Sequence, residues 1–451
     1  MTPRLFFLVV SPLILLVAAA GFLAADARAR PRSPSIYWSD DVVQEMRSLV
    51  EENYVDEVPD DRARGLFYAA CKAYLAGLDD YCEFYTPEEK REMEQDTQGE
   101  FGGVGILGAH EAGDPKTGRT GGVRVRGARI EDPAWKAGIR AGDLIVSVDG
   151  IDASGEKGAE AMPRLRGEPK STVRVAWIPA GGGLRREEFI TRALVKTDSV
   201  VGVSIPDPQA GIGYLRIARF QENTAADLKA ALKKLRADGA RAFLLDLRSD
   251  YGGVLPAAVA CADCFLDSGV IVVTRSRAGI ERPGNRAGPD PDDILEAPLV
   301  LLVDGNTASA SEVLAGALQD HRRAVLVGER TYGKFLVQRI VPLPEEDVAV
   351  RITTARYYTP FGRNLQRDDA RGVRGGIVPE VPVAVDEVSR KAVVQWFEDQ
   401  VGLDWDLLPP APGAPAAPAD AILARGLSLL RDSGAGDAAK AGATAPASKP
   451  R

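Results

Sequence analysis

Strand-like and helix-like segments alternate through the second half of this 451-residue chain, and that alternation limits the fold more than any other feature. Short apolar runs typical of buried strands are separated by segments with helical spacing, of which Glu222–Asp238 is the clearest. The predicted strands are Ile212–Ile217, Ala242–Arg248, Val270–Thr274, Pro298–Val303 and Ala324–Gly328. This alternation predicts an α/β core with a mixed, largely parallel sheet and helices on both faces. Ligands of such sheets collect at the carboxyl ends of the strands.

A small hydroxyl residue lies at one of these strand ends. The segment Asp304–Glu312 (DGNTASASE) follows the strand Pro298–Val303 and precedes a predicted helix. Ser309 could act there as a nucleophile beside the first N–H groups of the helix, where developing negative charge is stabilised. The same residues also fit a capping box, with Ser309 as N-cap and Glu312 reaching back, which is the commoner meaning of such a match. Ser311 is the competing nucleophile, and the more N-terminal placement favours Ser309.

A serine nucleophile needs a general base, and the chain has only two histidines. His321 lies twelve residues after Ser309 on what is predicted to be one helix, about 18 Å along its axis. His110 is far away in sequence, and nothing supports its reaching Ser309. Lys334 is the alternative base, since burial lowers the pKa of an amine and apolar residues follow this lysine. Ser–Lys dyads are an established variant of the Ser–His–Asp triad.

The segment around Lys334 also matches a different motif. Gly328–Lys334 fits G-x-x-x-x-G-K, the beginning of a phosphate-binding loop, and leaves an ATPase as a rival hypothesis. The residue after the lysine should be Ser or Thr to hold magnesium, but it is Phe335. The loop should also open a helix, whereas the following residues are typical of a strand. Both departures disfavour the phosphate-binding interpretation.

The segment from Gly99 to about Gly183 predicts a separate, mainly β module. Its glycine-rich start, Phe101–Ile106, leads into a strand and lets backbone N–H groups converge on an anion. A nucleotide phosphate is disfavoured because G-x-G-x-x-G is not matched and no helix follows. A peptide's terminal carboxylate fits better, with the peptide adding a strand to the module's edge. Gly103, Val104, Gly105 and Ile106 are the candidate carboxylate-binding residues; a plain glycine-rich turn is the alternative.

The next part of this module resembles a bacterial-type PDZ domain. The resemblance is carried by Asp132–Gly150, which follows the pattern P-A-x-x-A-G-(I/L)-x-x-G-D-x-I-x-x-V-(D/N)-G. It implies recognition of C-terminal peptides.

From about Ser39 to Val385 the chain resembles the carboxyl-terminal processing (tail-specific) serine peptidases. In that family a T-A-S-A-S-E stretch carries the nucleophile at its first serine, which is Ser309 here. The base lysine lies in G-K-x-x-x-Q, which matches Lys334, 25 residues later, and Gln338, implied to orient it. The loop D-L-R-x-x-x-G-G matches Asp246–Gly253, and the resemblance implies an oxyanion hole formed by Ala310 with Gly252 or Gly253.

The family pattern has three departures in this chain. Phe335 stands where glycine usually follows the lysine, Tyr251 stands where proline often precedes the double glycine, and Trp135 takes a position that is usually small. The first two adjoin the site and could alter substrate choice or rate. None of the three removes a catalytic group.

The N-terminal residues predict export. Leu5–Ala25 is an apolar run of membrane-spanning length, preceded by Arg4. It predicts either a secretory signal, with Ala27–Ala29 as a possible cleavage site, or an uncleaved anchor. We therefore expect a periplasmic protein or one anchored in the inner membrane and facing the extracytoplasmic side, with membrane contact through this segment.

The four cysteines include one C-x-x-C pair, Cys261 and Cys264. No second pair accompanies it, so a zinc site is disfavoured, and two cysteines buried in an apolar helix are the favoured interpretation. No metal and no cofactor are expected. The net charge of −8 offers no basic surplus to neutralise phosphates, which excludes a nucleic-acid partner.

These observations predict a serine endopeptidase that cleaves protein substrates near apolar C-termini through an acyl-enzyme. A catalytically inactive PDZ-bearing scaffold protein of the cell envelope is the alternative. The expected partners are substrate proteins, with a homodimer or a regulatory adaptor left open. The predicted organisation is a signal peptide or anchor (1–30), an N-terminal helical segment (36–96), a PDZ domain (97–185), a peptidase core (186–408), and a Pro/Ala-rich linker, short helix and disordered tail (409–451).

Overall fold

The computed structural model describes residues 40–111, 113, 120–154, 158, 160–279, 281–282, 287–288, 296–343, 347–400 and 417–432. The predicted signal segment, most of the Pro/Ala-rich linker and the predicted tail lie outside the described residues. Within those ranges no helix is long and apolar enough to cross a membrane. The chain divides into two units, one ending at Ala70 and the other beginning at Cys71.

The first unit is helical. Helix α1 spans Asp40–Asn53, and helix α2 spans Asp60–Ala76, so its last turns belong to the second unit. Asp60 and Asp61 lie in the first turn of α2, where carboxylates interact favourably with the helix dipole. Helices therefore occupy this part of the predicted N-terminal helical segment.

Strand β1 (Glu83–Tyr85) and helix α3 (Pro87–Gln98) follow helix α2 in the second unit. Thr86 caps α3: its hydroxyl accepts from the N–H of Glu89 at 3.3 Å. The Glu89 carboxylate in turn accepts from the N–H of Thr86 at 3.0 Å. With proline in the first turn, the helix begins where the sequence predicts it.

The mainly β module forms between residues 100 and 196. Its elements are β2 (Glu100–Gly103), β3 (Ile106–Glu111), β4 (Gly122–Ala128), α4 (Pro133–Lys136), β5 (Leu144–Val148), β6 (Ile151–Asp152), β7 (Thr172–Ile178), β8 (Arg186–Thr191) and β9 (Ala193–Lys196). The antiparallel order is β3-β4-β5-β7-β8, with β6 on β5, while β2 pairs with β9. Val123, Ile145 and Trp177 are fully buried in its core, and β3 is left as an edge strand.

The remaining elements build the predicted α/β core. They are β10 (Val200–Asp207), β11 (Ile212–Ile217), α5 (Thr224–Ala237), β12 (Ala242–Asp246), α6 (Leu255–Asp263), β13 (Val273–Ser276), β14 (Glu281–Arg282), β15 (Leu299–Val303), α7 (Ala310–Asp320), β16 (Val325–Gly328), β17 (Leu336–Leu343), β18 (Val348–Tyr358), β19 (Val381–Pro382), α8 (Glu387–Gln400) and α9 (Ala421–Asp432).

The central sheet has the order β10-β11-β12-β15-β16-β19. Only the β10–β11 pair is antiparallel, and the other four pairs are parallel, so the sheet is mixed and largely parallel. The predicted strand Val270–Thr274 is not part of it: β13 begins at Val273 and pairs with β18 in a second sheet.

Both faces of the central sheet are covered by helices. Leu245 of β12 packs in a core with residues of α5, α6 and α7, including Leu228, Cys261 and Leu314. The neighbouring Leu244 points to the opposite face, where it shares a core with Ile422 and Leu430 of α9. Complete burial of such side chains stabilises the fold by about 1.5–3 kcal/mol each. The C-terminal helix is therefore part of the peptidase core rather than an appendage.

The second sheet is antiparallel, with the order β1-β18-β13-β14 and β17 paired with β18. Glu83 of β1 lies opposite Arg351 of β18. Lys334 lies two residues before β17. Because β1 and β17 both pair with β18, the sheet brings the segment before β1 close to this lysine.

Candidate active site

Ser309 occupies a strained turn between β15 and α7. Its backbone has φ 56° and ψ −115°, a conformation that non-glycine residues rarely adopt. Holding such a residue costs on the order of 1–3 kcal/mol, and it persists only where surrounding contacts enforce it. Residues in this position are over-represented at active sites, so the backbone alone marks Ser309 as more than a helix cap.

Asp304 is one of the contacts that hold the turn. Its carboxylate accepts from the backbone N–H groups of Asn306 and Thr307, both at 3.0 Å. It also accepts from the N–H of Ser249 in the loop after β12, at 3.0 Å. The hydroxyl of Thr307 donates to the carbonyl of Leu247 in the same loop at 2.9 Å. The turn carrying Ser309 is thereby fixed to the loop that follows the adjacent parallel strand.

Glu312 is the strongest link between the nucleophile turn and the lysine loop. One carboxylate oxygen accepts from the N–H of Ser309 at 2.9 Å and from the N–H of Lys334 at 2.8 Å. The other oxygen accepts from the N–H of Gly333 at 2.8 Å and from the hydroxyl of Thr331 at 2.6 Å. Burial raises the pKa of Glu312 to about 7, although the four hydrogen-bond donors act in the opposite direction and lower it. Since all four partners donate, the ionised carboxylate fits this arrangement.

Tyr357 adds a second link between the same two segments. Its buried hydroxyl donates to the carbonyl of Ser309 at 2.9 Å and also contacts the carbonyl oxygen of Lys334. Burial raises the pKa of Tyr357 well above its usual value, so the hydroxyl keeps its proton. Glu312 thus binds the N–H groups of Ser309 and Lys334, and Tyr357 contacts their carbonyls.

The side chain of Lys334 is partly buried against an aromatic ring. Its Nζ is 4.5 Å from the centre of the Tyr81 ring, in the segment before β1. Burial lowers the pKa of Lys334, and the positive charge of Arg351 lowers it further. The carboxylates of Asp79 and Glu312 act in the opposite direction without reversing the shift. The lysine is therefore closer to its neutral form at physiological pH than an exposed lysine would be.

Gln338 lies on β17, and its Nε2 donates to the Thr353 hydroxyl on β18 at 3.4 Å. Across the described residues, no hydrogen bond joins the side chains of Ser309, Lys334 and Gln338 to one another. The structure instead connects Ser309 and Lys334 through their backbones, by way of Glu312 and Tyr357.

The double glycine after β12 lies directly against Ser309. A Cβ placed on Gly252, which has φ +97°, would be 2.9 Å from both Ser309 Cβ and Ala310 N. Real Cβ atoms do not approach so closely, so this contact requires glycine. The N–H of Gly252 donates to the Asp250 carboxylate at 2.8 Å. The N–H of Gly253, the next along the chain, makes no hydrogen bond within the described residues.

The predicted carboxylate-binding residues lie at one end of the mainly β module. Gly103 is held in the β2–β9 ladder, and Ile106 begins the edge strand β3. Val104 and Gly105 connect them. Val104, Gly105 and Ile106 line a cavity of about 200 Å³, together with Phe101, Met162, Leu165, Arg166 and Asp198, whereas Gly103 is not part of that lining.

Sequence reasoning found Ser309, Lys334 and the double glycine but missed several of their supports. Glu312 was recognised only as a cap, and Asp250, Asp304, Tyr81 and Tyr357 were not singled out. The sequence signal for Glu312 was present in the capping box, since a carboxylate that reaches back to Ser309 can also reach a neighbouring loop. The tyrosines have no local signal.

Other candidate chemistry finds little support in the part of the chain that the structure describes. There, no group of three or more His, Cys, Asp or Glu side chains is arranged to hold a metal ion. Cys261 and Cys264 are buried in and after α6, as the sequence predicted, and neither forms a disulfide. The residues after Lys334 form β17 rather than a helix, which removes the structural context of a phosphate-binding loop.

Comparison with known families and proteins gives a consistent result. The model of peptidase family S41 matches residues 211–383, and a PDZ-domain model matches residues 124–178. A carboxy-terminal-processing protease of Bartonella bacilliformis is 36% identical over 340 residues, covering 74% of this chain and 73% of that protein.

Two further relatives carry similar names. The chloroplastic C-terminal processing peptidase of Tetradesmus obliquus is 36% identical over 330 residues, covering 70% of this chain and 69% of that protein. A solved structure named photosystem II D1 C-terminal processing protease is 32% identical, with a TM-score of 0.42, and covers 80% of this chain and 96% of that one.

Proposed function

The chain belongs to the carboxyl-terminal processing proteases of peptidase family S41, and we propose that it cleaves its substrates with Ser309 as nucleophile and Lys334 as general base. It is a serine peptidase, and proteins or peptides are its substrates. The single observation that supports the assignment most is the Glu312 carboxylate, which accepts from the N–H groups of both Ser309 and Lys334. This one shared acceptor holds the backbones of the proposed nucleophile and the proposed base at a fixed separation.

The reaction begins when neutral Lys334 accepts the proton of the Ser309 hydroxyl as Oγ attacks the scissile carbonyl. Burial and the nearby Arg351 lower the pKa of this lysine, which supplies the neutral amine. Hydrogen bonds between catalytic groups often form or shorten only when substrate is bound. In this structure Nζ lies against the Tyr81 ring, and we propose that it engages Ser309 Oγ when substrate is bound.

The negative charge of the tetrahedral intermediate falls on the former carbonyl oxygen. The N–H of Ala310, at the beginning of α7, is one donor to that oxyanion, aided by the helix dipole. The N–H of Gly253 is the second, because that of Gly252 is already donated to Asp250. Protonated Lys334 then gives its proton to the leaving amine, and the acyl-enzyme is hydrolysed by water with the lysine again as base.

Gln338 orients the lysine in this scheme. Its Nε2 donates to Thr353, which fixes the amide and leaves Oε1 as an acceptor for the lysine amine. An acceptor at this position stabilises the protonated form of the lysine. Gln338 Oε1 therefore acts mainly after the proton has moved from Ser309 to Lys334.

The groove at residues 103–106 binds the substrate's C-terminus in this proposal. The edge strand β3 can pair with an added strand, and the lining is largely apolar. Arg166, whose guanidinium lies 4.6 Å from the centre of the Phe101 ring, contributes a positive charge to the same cavity. A free carboxylate on an apolar last residue is the ligand that this combination fits.

A peptide that ends in apolar residues should therefore be cleaved faster as the free acid than as the C-terminal amide. Hydrogen bonds to a charged group contribute about 1.5–3 kcal/mol, so amidation should lower kcat/KM by about 10- to 100-fold. Steady-state cleavage of the matched pair measures this effect. A peptide in which an internal glutamate is replaced by glutamine is the control for the lost charge. Equal rates for acid and amide would contradict C-terminal recognition.

The inactive-scaffold alternative is disfavoured. Relatives named as processing proteases match about three quarters of the chain, and Ser309, Lys334 and the double glycine are all present. An inactive scaffold would have no need to keep a strained serine facing two glycines.

We also propose that the protein is exported and acts outside the cytoplasm. The support is the apolar run Leu5–Ala25 after Arg4. Fractionation and N-terminal sequencing should find the protein outside the cytoplasm, either shortened after about residue 29 or intact in the membrane fraction. A variant lacking residues 5–25 should remain in the cytoplasm. Full-length wild-type protein in the cytosolic fraction would contradict export.

A further inference from the structure

Asp250 lies at the centre of the contacts between the double-glycine loop and the nucleophile turn. Its backbone carbonyl accepts from the N–H of Ala308 at 3.0 Å and from the hydroxyl of Ser311 at 3.1 Å. Its Oδ1 accepts from the N–H of Gly252 at 2.8 Å. The residue therefore contacts both segments that the proposed function assigns to the oxyanion hole and the nucleophile.

The carboxyl group of Asp250 is poorly matched to a negative charge. The residue is completely buried, and its Oδ2 has no hydrogen-bond partner within the described structure. A buried carboxylate normally binds two or more donors or an ion-pair partner, whereas a protonated carboxyl needs fewer. A proton on Oδ2 leaves Oδ1 free to keep its bond from Gly252.

The charged and titratable groups around this carboxyl do not compensate for its charge. Arg216 on β11 donates to the carbonyl of Arg248 and stacks on the Phe397 ring. Arg219, just after β11, pairs with Asp96 at 3.0 Å.

On α6, Cys261 faces the carboxyl as a buried thiol whose pKa burial raises. From α7 the Ser311 hydroxyl approaches it. Burial raises the pKa of Asp250 to about 7, although the Gly252 N–H, Ser311 and the two arginines lower it.

We propose that Asp250 is a positioning residue for peptide cleavage that works in its protonated form. The neutral carboxyl takes the Gly252 N–H and so presents the Gly253 N–H to the oxyanion. When Asp250 ionises, a negative charge lies beside the loop that must stabilise a second negative charge, and cleavage slows. Ionisation of Asp250 therefore lowers activity as the pH rises, and this loss opposes the gain that comes as Lys334 loses its proton. This inference rests on the proposed function of Ser309 and the double glycine.

The decisive variant is Asp250→Asn, in which the amide oxygen keeps an acceptor for Gly252 and the ionisation is removed. The pH dependence of kcat/KM is measured for wild type and variant with the same apolar-tailed peptide. Between about pH 6 and about pH 9 the ratio of variant to wild-type kcat/KM should rise at least about tenfold, because a unit charge within about 10 Å has at least this effect at an effective dielectric of about 20. Asp263→Asn is the matched control, because that carboxylate also accepts one backbone N–H, from Gly288 at 2.8 Å. Its ratio should stay constant with pH.

A ratio for Asp250→Asn that does not change with pH would overturn the inference, because a purely structural role would lower activity equally at every pH. If Asp250→Asn does not fold, the wild-type profile decides: a second ionisation near pH 7 that lowers kcat/KM, beside the lysine limb, supports the inference, and a profile described by the single rising lysine ionisation overturns it. Ser309→Ala is measured beside these variants. If wild-type cleavage persists in Ser309→Ala, both the proposed function and this inference fail. If cleavage depends on Ser309 and the Asp250→Asn profile parallels wild type, only the inference fails.

Discussion

Replacing Ser309 with alanine is expected to lower peptide cleavage by on the order of 10⁶-fold, as for other nucleophilic serines whose hydroxyl is removed. The physical reason is that no acyl-enzyme can form without Oγ, while the oxyanion donors and the substrate groove remain. Single-turnover and steady-state hydrolysis of an apolar-tailed peptide measure the loss. The variant should still bind that peptide, because Ser309 is not part of the groove at residues 103–106.

Ser311→Ala is the matched control for this experiment. Ser311 is completely buried, and its hydroxyl donates to the carbonyl of Asp250. It therefore supports the turn rather than facing substrate. Its replacement removes one hydrogen bond of about 1 kcal/mol and should leave most of the activity in place. Inactive Ser311→Ala together with active Ser309→Ala would show that the wrong serine has been assigned.

Lys334→Met should lower kcat/KM by roughly 10²–10⁴-fold, the usual contribution of a general base. Methionine keeps the unbranched apolar stem against Tyr81 but cannot accept a proton. Lys334→Arg tests the alternative that only a positive charge is needed, because a guanidinium stays protonated at every accessible pH. Both variants should be inactive if the lysine is a base. Recovery of activity in Lys334→Arg would contradict that role.

The pH dependence gives an independent measure of the same lysine. Burial lowers the pKa of Lys334 below its usual value, and the base must be neutral to act. The acid limb of the wild-type kcat/KM profile should therefore rise with pH through a value below that of a free lysine, and the limb should disappear in Lys334→Met. A flat acid limb in wild type would contradict a lysine base.

Local sequence patterns were sufficient to select the residues that we propose as catalytic. Ser309 follows an apolar strand and precedes a helix, and Lys334 lies in a short motif at a fixed separation from it. The double glycine follows another strand of the same sheet. Because parallel strands place their carboxyl ends at one edge, the alternation of elements already implied that these residues meet.

The supporting contacts could not be predicted in this way. Tyr81 reaches Lys334, and Tyr357 reaches both catalytic residues, only because β1 and β17 pair with the same strand, β18. Pairing of β1 with β18, which are far apart in sequence, depends on the packing of the whole domain rather than on the residues within either strand. The same holds for the packing of helix α9 on one face of the central sheet, since the sequence predicted a short helix after the Pro/Ala-rich linker but not its position.

The sequence by itself determined the class of this protein: a largely parallel α/β core, a mainly β module beside it, and a serine and a lysine at strand ends. These features depend on local periodicity and on short spacings between residues that are close together in the sequence. Only the tertiary structure decided which contacts hold the site together and which of its carboxyl groups are ionised. It placed the Glu312 carboxylate between Ser309 and Lys334, and it buried Asp250 beneath the double glycine without a partner for one oxygen. Burial and the set of nearby donors fix the ionisation of these carboxyl groups, and both arise only when distant segments pack together.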